Sequence, residues 1–447
     1  MADHSTNNKS LTSEPERPCA FVNMNSGERS AALFVADQLK KNFGADNVLD
    51  LFPVKGKPPV IEEAKQFLIQ RKPDLLVVAG GDGTVSLGFD IVDEVRAAKL
   101  VGPATAPIAV IPMGTGNDLS RSLGFGGGYK KPLVKAEERF TKVIKRLFMA
   151  RPRVIDRFAL TITTIDPDTV TPGHAGGVNG HRPSKQRSAP SLPKEECRSF
   201  LEERHRCSHA ESAASSAEQR QQQHQQESSS PTPAQPPSSR CKETKKVFTN
   251  YFSIGFDAEV AKAFGDFRDH HPGICKSRVG NKIWYGCFGC NAMCCSSTLP
   301  KKHVSLTVDG KAIKVPSNMK SIVVSSMITY AGGNILWADS RQKFDTQAVD
   351  DGKVEVVALE GVWHMVGIGT RIRSGKKLAQ GSSIVLYSPA HFTMQYDGEP
   401  IAAMGAPDQM VKIVIEFMSQ SLGTEVPLEK ESNRKATQAS HSETERK

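Results

Sequence analysis

The chain has 447 residues, 38% of them hydrophobic and 24% charged, with a formal net charge of +10. It holds no run of ~18 apolar residues, which excludes a membrane-spanning helix, and the opening MADHSTNNKS lacks the apolar segment of a secretory signal. Nine cysteines, five of them between positions 275 and 295, do not make a disulfide framework at this length and favour a reducing compartment, while the positive excess suits anionic partners.

Residues 1–16 are polar and read as a disordered tail. A short strand, Phe21-Val22, then runs into Asn23-Met24-Asn25-Ser26-Gly27. Residues 30–43 carry apolar side chains at helical spacing, and 75–79 and 107–111 are short apolar runs typical of buried strands. Both runs end in glycine-rich turns with helical segments between them, which predicts a parallel α/β sheet. An amphipathic helix at 134–149 closes this half.

Composition breaks after Ile165. From 181 to 240 the only large apolar side chains are Leu192, Phe200 and Leu201, amid Gln-rich and Ser/Pro-rich runs. Such a stretch buries too little apolar surface to offset its ordering entropy. Residues 166–245 are therefore predicted to be a disordered insertion between two strands, 157–163 and 246–255. The remainder is β-rich: a hairpin at 303–315 around Asp309-Gly310, then strands at 321–328, 353–359, 382–387, 392–396 and 411–417. This predicts a sandwich-like antiparallel domain, followed from 419 by a disordered tail.

The first apolar run leads into Gly80-Gly81-Asp82-Gly83-Thr84. Glycines between a strand and a helix leave bare backbone N–H groups where phosphate oxygens can approach. The Thr84 hydroxyl can donate to phosphate. Asp82 suits such a place only beside Mg²⁺ or a substrate hydroxyl. The second run leads into Pro112-Met113-Gly114-Thr115-Gly116-Asn117-Asp118, so two similar turns line one crevice at the carboxyl ends of two strands. Asn23 and Ser26 offer donors at a third turn. None of these is a P-loop.

With these turns the first half, 17–155, resembles the catalytic domain of the diacylglycerol kinases. The second, 156–165 with 246–418, resembles their accessory domain through Asn250-Tyr251-Phe252-Ser253-Ile254-Gly255-Phe256-Asp257-Ala258, Ser277-Arg278, Asn281-Lys282-Ile283-Trp284-Tyr285 and Gln395-Tyr396-Asp397-Gly398-Glu399. The organisation is similar to the compact plant-type enzymes, without a C1 zinc module. The resemblance implies an N-terminal three-layer α/β domain, an antiparallel β-sandwich-like domain and an active site in the cleft between them. It implies ATP and Mg²⁺ as cofactors, diacylglycerol as acceptor, phosphatidic acid as product, and a cytoplasmic protein peripheral on the cytosolic face of membranes. Thr84, Thr115 and Asp118 separate the chain from sphingosine and ceramide kinases, which typically carry a hydrophobic residue at the first position and a Ser-containing second turn. NAD kinases share the first turn and lack the second. A kinase for another lipid alcohol, or a nucleotide- or lipid-binding scaffold without turnover, are the alternatives.

By resemblance Asp397 is the candidate base and Glu399 helps to hold Mg²⁺–ATP or substrate, with a DG hairpin turn and a solvated Glu as the alternative; Asp82 is a second candidate for the base or metal role. Asp118 is read as a metal ligand or a helix N-cap. Asp156 is a substrate-hydroxyl candidate or an ion-pair partner. Asp350-Asp351-Gly352 resembles an accessory Mg²⁺ turn, with a plain type I′ turn as the alternative. Arg121, Arg278 and Lys282 are candidates to neutralise phosphate. Cys287, Cys290, Cys294 and Cys295 are read as buried thiols, with acylation or zinc as alternatives. From 361 to 396 there is no acidic residue, while Trp363, Arg371, Arg373, Lys376 and Lys377 fall within it. This stretch is a candidate for docking on an anionic membrane, or a solvated basic face. No aromatic-interleaved motif suggests nucleic acid.

Overall fold

The computed structural model describes residues 14–54, 56–98, 106–165, 242–271, 304–338, 344–401, 404–405 and 409–426. Most of the predicted insertion, both outer tails, the cysteine-rich stretch, Arg278 and Lys282 lie outside these residues.

The N-terminal half is built from β1 (Pro18–Val22), α1 (Arg29–Phe43), β2 (Val48–Asp50), α2 (Ile61–Arg71), β3 (Leu75–Gly80), α3 (Asp82–Ala97), β4 (Ile108–Pro112), α4 (Asp118–Ser122) and α5 (Ala136–Phe148). Its strands lie parallel in the order β2-β1-β3-β4. β3 and β4 are buried along their whole length, as continuous apolar runs covered on both faces must be. Helix α1 buries Ala32, Val35, Ala36, Leu39 and Phe43, and α5 buries Phe140, Ile144 and Leu147, at the 3–4 spacing that turns one helical face inward.

Next come β5 (Arg151–Ile165), β6 (Glu243–Phe248), β7 (Tyr251–Gly255), α6 (Phe256–His270), β8 (Ser305–Val308), β9 (Lys311–Ile313), β10 (Ser321–Ser325), β11 (Val354–Leu359), α7 (Val362–Gly369), β12 (Lys376–Gly381), β13 (Ser383–Pro389), β14 (Met394–Tyr396), β15 (Glu399–Ile401) and β16 (Met410–Glu425). One antiparallel sheet runs β12-β11-β10-β7-β14-β15. It packs through Phe252, Ile254, Ile322, Val324 and Val356 on Phe158, Leu160, Ile384, Leu386 and Ile413 of the other sheet, which is the predicted sandwich. The β8–β9 turn has positive φ at Asp309 (46°) and Gly310 (75°), as a type I′ hairpin requires.

Two boundaries depart from the sequence reading. Residues 419–425 are not part of a disordered tail: β16 continues to Glu425, paired with β5 as far as Arg151 and lying parallel beside β4 at Gly423↔Ile108, while 427–447 lie outside the described residues. Its Ser421 and Thr424 are buried because distant partners satisfy them, and exposed Gln420 also bonds across the ribbon. Ser421 donates to Asp93, Gln420 Nε2 to Asp156 (2.9 Å) and Thr424 Oγ1 to the Ile108 carbonyl (3.2 Å). A Cβ at Gly423 would stand 2.5 Å from Ile155 Cδ1, so a larger residue at this crossing would have to displace the Ile155 side chain. Likewise, β5 runs unbroken through the expected domain boundary at 155/156, and β6 starts inside the expected insertion, pairing Thr244 with Ile162. The β5–β16 ribbon thus belongs to both halves. Among the described residues no helix is long and apolar enough to cross a membrane.

Candidate active site

Three turns converge at the carboxyl edge of the parallel strands. A Cβ at Gly114 would lie 2.8 Å from the Gly81 Cα, and one at Gly81 would lie 3.6 Å from Ser26 Oγ. The two glycine turns therefore pack backbone on backbone, an approach no larger residue permits. Asn23 Nδ2 donates to Thr84 Oγ1 (2.9 Å), tying the first turn to the second and leaving the Thr84 hydroxyl hydrogen available. Asn117 adopts φ 54° and donates to the Gly114 and Gly127 carbonyls (2.7 and 3.0 Å). Arg121 donates to the Gly116 and Gly127 carbonyls (3.1 and 3.3 Å), so the predicted phosphate cation also pins its own loop.

The acidic residues divide by partner. Asp82 Oδ2 accepts the Asp118 N–H (3.0 Å) and Oδ1 the Leu119 N–H (3.3 Å). The capping role read for Asp118 belongs to Asp82 instead, since Asp118 is the first helical residue of α4 and its side chain faces the other half. Its carboxylate accepts the Gly332 N–H (2.9 and 3.0 Å), the Gly333 N–H (2.9 Å) and the Thr329 hydroxyl (3.1 Å). Asp397, at φ 48° between β14 and β15, accepts the N–H groups of Thr249 (3.1 Å), Asn250 (2.8 Å) and Tyr251 (3.1 Å). Glu399 accepts the Tyr396 hydroxyl at Oε2 (3.0 Å), and its Oε1 reaches to 3.3 Å from where a Gly83 Cβ would be. Both halves thus deliver carboxylates over the glycine turns.

Burial drives the electrostatics. It pushes Asp82 up to about 7, reinforced by the negative charges of Asp118 and Asp397 and opposed by the two N–H bonds. Burial also raises Asp397 to about 6 against three N–H donors, and raises Asp118. Asn117 Oδ1, Thr249 Oγ1 and Asn250 Oδ1 are buried without a hydrogen-bond partner among the described residues. Carboxylates with no ion-pair partner among the described residues, and oxygen acceptors left without a donor, fit a hard cation such as Mg²⁺. Among the described residues no three His, Cys, Asp or Glu side chains are grouped to hold a metal by themselves. Mg²⁺ characteristically takes only one or two carboxylates and completes its shell with phosphate and water.

Asp156 sits elsewhere. It accepts the Gly352 N–H (2.6 Å) and the Gln420 amide, and the carboxylates that raise its pKa, after burial, are those of Asp351 and Asp350. Asp350 pairs with Arg153 (3.0 Å) and Asp351 accepts the Lys353 N–H (3.0 Å), so this group of three fastens a turn to the β5–β16 ribbon. Two features went unread in the sequence. Arg157 is fully buried, pairing with Asp90 (2.6 Å) and Asp93 (3.7 Å) of α3; its signal is the charged pair Asp156-Arg157 set between apolar Ile155 and Phe158. The 329–333 loop carries no chemical motif, because it acts mainly through its backbone. Trp363, Arg371, Arg373 and Lys376 are exposed, whereas Lys377 lies 4.5 Å over the Trp337 ring.

Both halves of the chain are similar to known proteins. The family model of the diacylglycerol kinase catalytic domain matches residues 17–148, and that of the diacylglycerol kinase accessory domain matches 247–400. Diacylglycerol kinase 1 of Arabidopsis thaliana is 26% identical over 397 residues, covering 87% of this chain and 43% of that protein. Diacylglycerol kinase 4 of the same plant is 27% identical over 436 residues, covering 88% and 78%. This chain therefore spans under half the length of the first relative. A crystal structure of a diacylglycerol kinase from Bacillus anthracis str. Sterne superposes with a TM-score of 0.42 at 15% identity, covering 93% of this chain and 98% of that one. The two family models together take in more than half of the residues, and the chain belongs to the diacylglycerol kinase family.

Proposed function

We propose that this chain transfers the γ-phosphoryl group of ATP to the primary hydroxyl of 1,2-diacylglycerol, giving phosphatidic acid. The observation that carries this reading is Asp82. It is half-buried between two glycine turns that offer N–H groups to phosphate, with a pKa lifted to about 7 by its surroundings. A base is most effective when its pKa lies near the working pH. In this reading Asp82 accepts the hydroxyl proton as the acceptor oxygen attacks phosphorus. Asp397 keeps its carboxylate on three backbone N–H groups and acts on Asp82 through its charge.

Gly81, Gly83, Gly114 and Gly116 expose backbone donors to the phosphates, and the Thr84 hydroxyl adds another. Asn23, Ser26 and Asn117 shape these turns, Thr115 lies within the second, and Arg121 adds positive charge beside it. Glu399, reaching over the Gly83 turn, is the carboxylate assigned to Mg²⁺. When bound with the phosphates, that ion supplies charge neutralisation of the transferring group. Asp118, whose two oxygens already accept N–H and O–H donors, joins the halves of the cleft.

The test is transfer of label from ATP in mixed micelles that offer diacylglycerol, sphingosine and ceramide in parallel. Labelled phosphatidic acid, abolished by chelating the divalent cation, is expected. Label in sphingosine or ceramide instead would move the chain to another lipid alcohol. No transfer to any of them, with a working control enzyme, would leave the scaffold alternative.

A further inference from the structure

Helix α7 reads VWHMVGIG and contains no Lys, Arg, Asp or Glu. It buries His364 and Ile368, the latter against Val357 and Leu359 of the second sheet. His364 is fixed at both ring nitrogens: Nδ1 accepts the Glu360 N–H (3.1 Å) and Nε2 meets the Ser374 carbonyl (2.9 Å). The helix is therefore anchored, yet Trp363 is 71% exposed, Val366 50% and Ile372, just past its end, 82%. The backbone reverses at Arg371 (φ 60°), so Ile372 stands between exposed Arg371 and Arg373. At the root of the helix a cavity of about 230 Å³ is lined by Lys320, Glu360, Trp363 and Arg373, among others.

This ridge is continuous with the catalytic cleft. Asn334 Oδ1 lies 3.3 Å from where a Gly369 Cβ would be, so the end of α7 touches the loop whose Gly332 and Gly333 N–H groups hold Asp118. Ile328 (37%) and Ile335 (40%) of that loop are exposed as well. We propose that the α7 ridge, with Arg371 and Arg373, docks on an anionic lipid bilayer and seats it beside the 329–333 loop. Apolar tips interleaved with arginines, in a stretch free of acidic residues, suit an interface of acyl chains and negative headgroups. An interfacial tryptophan serves the same end. Lys377 does not belong to this surface, because its ammonium lies over the Trp337 ring inside the fold. The purpose of the surface rests on the lipid-kinase reading, since a bilayer-resident alcohol must be met at the cleft; the docking itself does not.

The test uses the full chain and vesicles without diacylglycerol, either phosphatidylcholine alone or phosphatidylcholine mixed with phosphatidylserine to give an anionic surface. Co-sedimentation should favour the anionic vesicles and weaken with salt. Replacing both arginines, Arg371→Ser with Arg373→Ser, should weaken partition about 25-fold, at about fivefold per cation near the surface. Ile372→Ser, which leaves charge unchanged, should weaken it by about tenfold or more. Brominated acyl chains should quench the fluorescence of the bound wild type more than that of bound Trp363→Phe. Unchanged melting curves show that the variants are folded, as exposed positions allow. Wild-type binding by both the arginine pair variant and Ile372→Ser overturns the proposal. So does a wild type that ignores anionic vesicles, or one that binds neutral vesicles as well as anionic ones. A chain that docks but phosphorylates no lipid in micelles would keep this surface and lose the kinase reading; the converse would lose only the surface.

Discussion

Two groups of buried or half-buried carboxylates, one on the body of α3 and one around its start, are treated in opposite ways. Asp90 and Asp93, on the body of α3, meet the guanidinium of Arg157, which also contacts Ser421 and stacks 5.7 Å from the Phe89 ring. Asp82, at the start of the same helix, together with Asp118 and Asp397, is held among the described residues by backbone N–H groups and hydroxyls. The first group balances its charge inside the protein and joins α3 to the β5–β16 ribbon. The second has no ion-pair partner among the described residues and feels Arg121, at Asp118, and Arg157, at Asp397, only through their charge. A buried ion pair is an arrangement for holding parts together, whereas carboxylates left on neutral dipoles await a cation or a proton from outside.

The comparison breaks most visibly at Arg157. Arg157→Met leaves Asp90 buried without the guanidinium that balances its charge, so stability should fall by ~3–5 kcal/mol in denaturant unfolding. Adding Asp90→Leu should recover a large part of the loss, because a charge-free pair of similar volume can match a buried ion pair. No recovery in the double variant would mean that Arg157 acts through something other than charge balance. Asp82→Asn should do the reverse. It should leave unfolding within about 1 kcal/mol of wild type, because the amide oxygen still accepts at the α4 cap. Transfer to diacylglycerol should fall by at least ~100-fold, the low end for losing a general base. Near-normal turnover would remove Asp82 from the proton-accepting role.

Asp397 separates the two candidates for that role. The negative charge of Asp397 raises Asp82, so Asp397→Asn removes that influence and lowers the pKa of Asp82. The base must be deprotonated to act, so in the wild type kcat/KM should fall as pH drops below about 7. In Asp397→Asn this acidic limb should move to lower pH, while the rate above neutrality falls by about tenfold or less. If Asp397 were itself the base, the limb would vanish with the activity, as in Asp82→Asn.

The parts of the site that were legible in the sequence are those in which the chemistry belongs to consecutive residues. Gly80-Gly81-Asp82-Gly83-Thr84 and Gly114-Thr115-Gly116-Asn117-Asp118 follow apolar strands, and the backbone contact between Gly81 and Gly114 is what such turns demand. The sandwich was legible from alternation and from Asp309-Gly310. What stayed hidden depends on partners far along the chain. Ser421 looks like a solvated tail residue until Asp93, more than three hundred positions away, accepts its proton. Asp118 reads as a cap or metal ligand because nothing marks the Gly332 and Gly333 N–H groups as its partners. Composition reports polarity, but only topology decides whether a polar residue meets water or another buried group.

The smallest expected effect concerns a third buried carboxylate, Glu355 on β11, which is neither ion-paired like Asp90 nor at the cleft. Its oxygens accept the amides of Gln347 (2.7 Å) and Gln380 (3.1 Å), and burial pushes it up to about 8 despite those bonds. The folded state therefore keeps a proton that the unfolded chain, near the ordinary glutamate value, releases. Between those two values the unfolded state binds fewer protons, so stability falls as pH rises and the loss is complete only above about 8. One unit of separation corresponds to about 1.4 kcal/mol, so this group should cost the wild type on the order of 2 kcal/mol between pH 6 and 8. Asp82, raised to about 7, adds a slope of the same sign over a lower window. Glu355→Gln cannot titrate. It should start about 1 kcal/mol less stable at pH 6, where one amide must turn to avoid facing another donor, and then lose less on going to pH 8. Unfolding curves at the two pH values decide the matter by their difference: if variant and wild type fall in parallel, Glu355 is already ionised in the fold, and its two glutamines balance it as Arg157 balances Asp90.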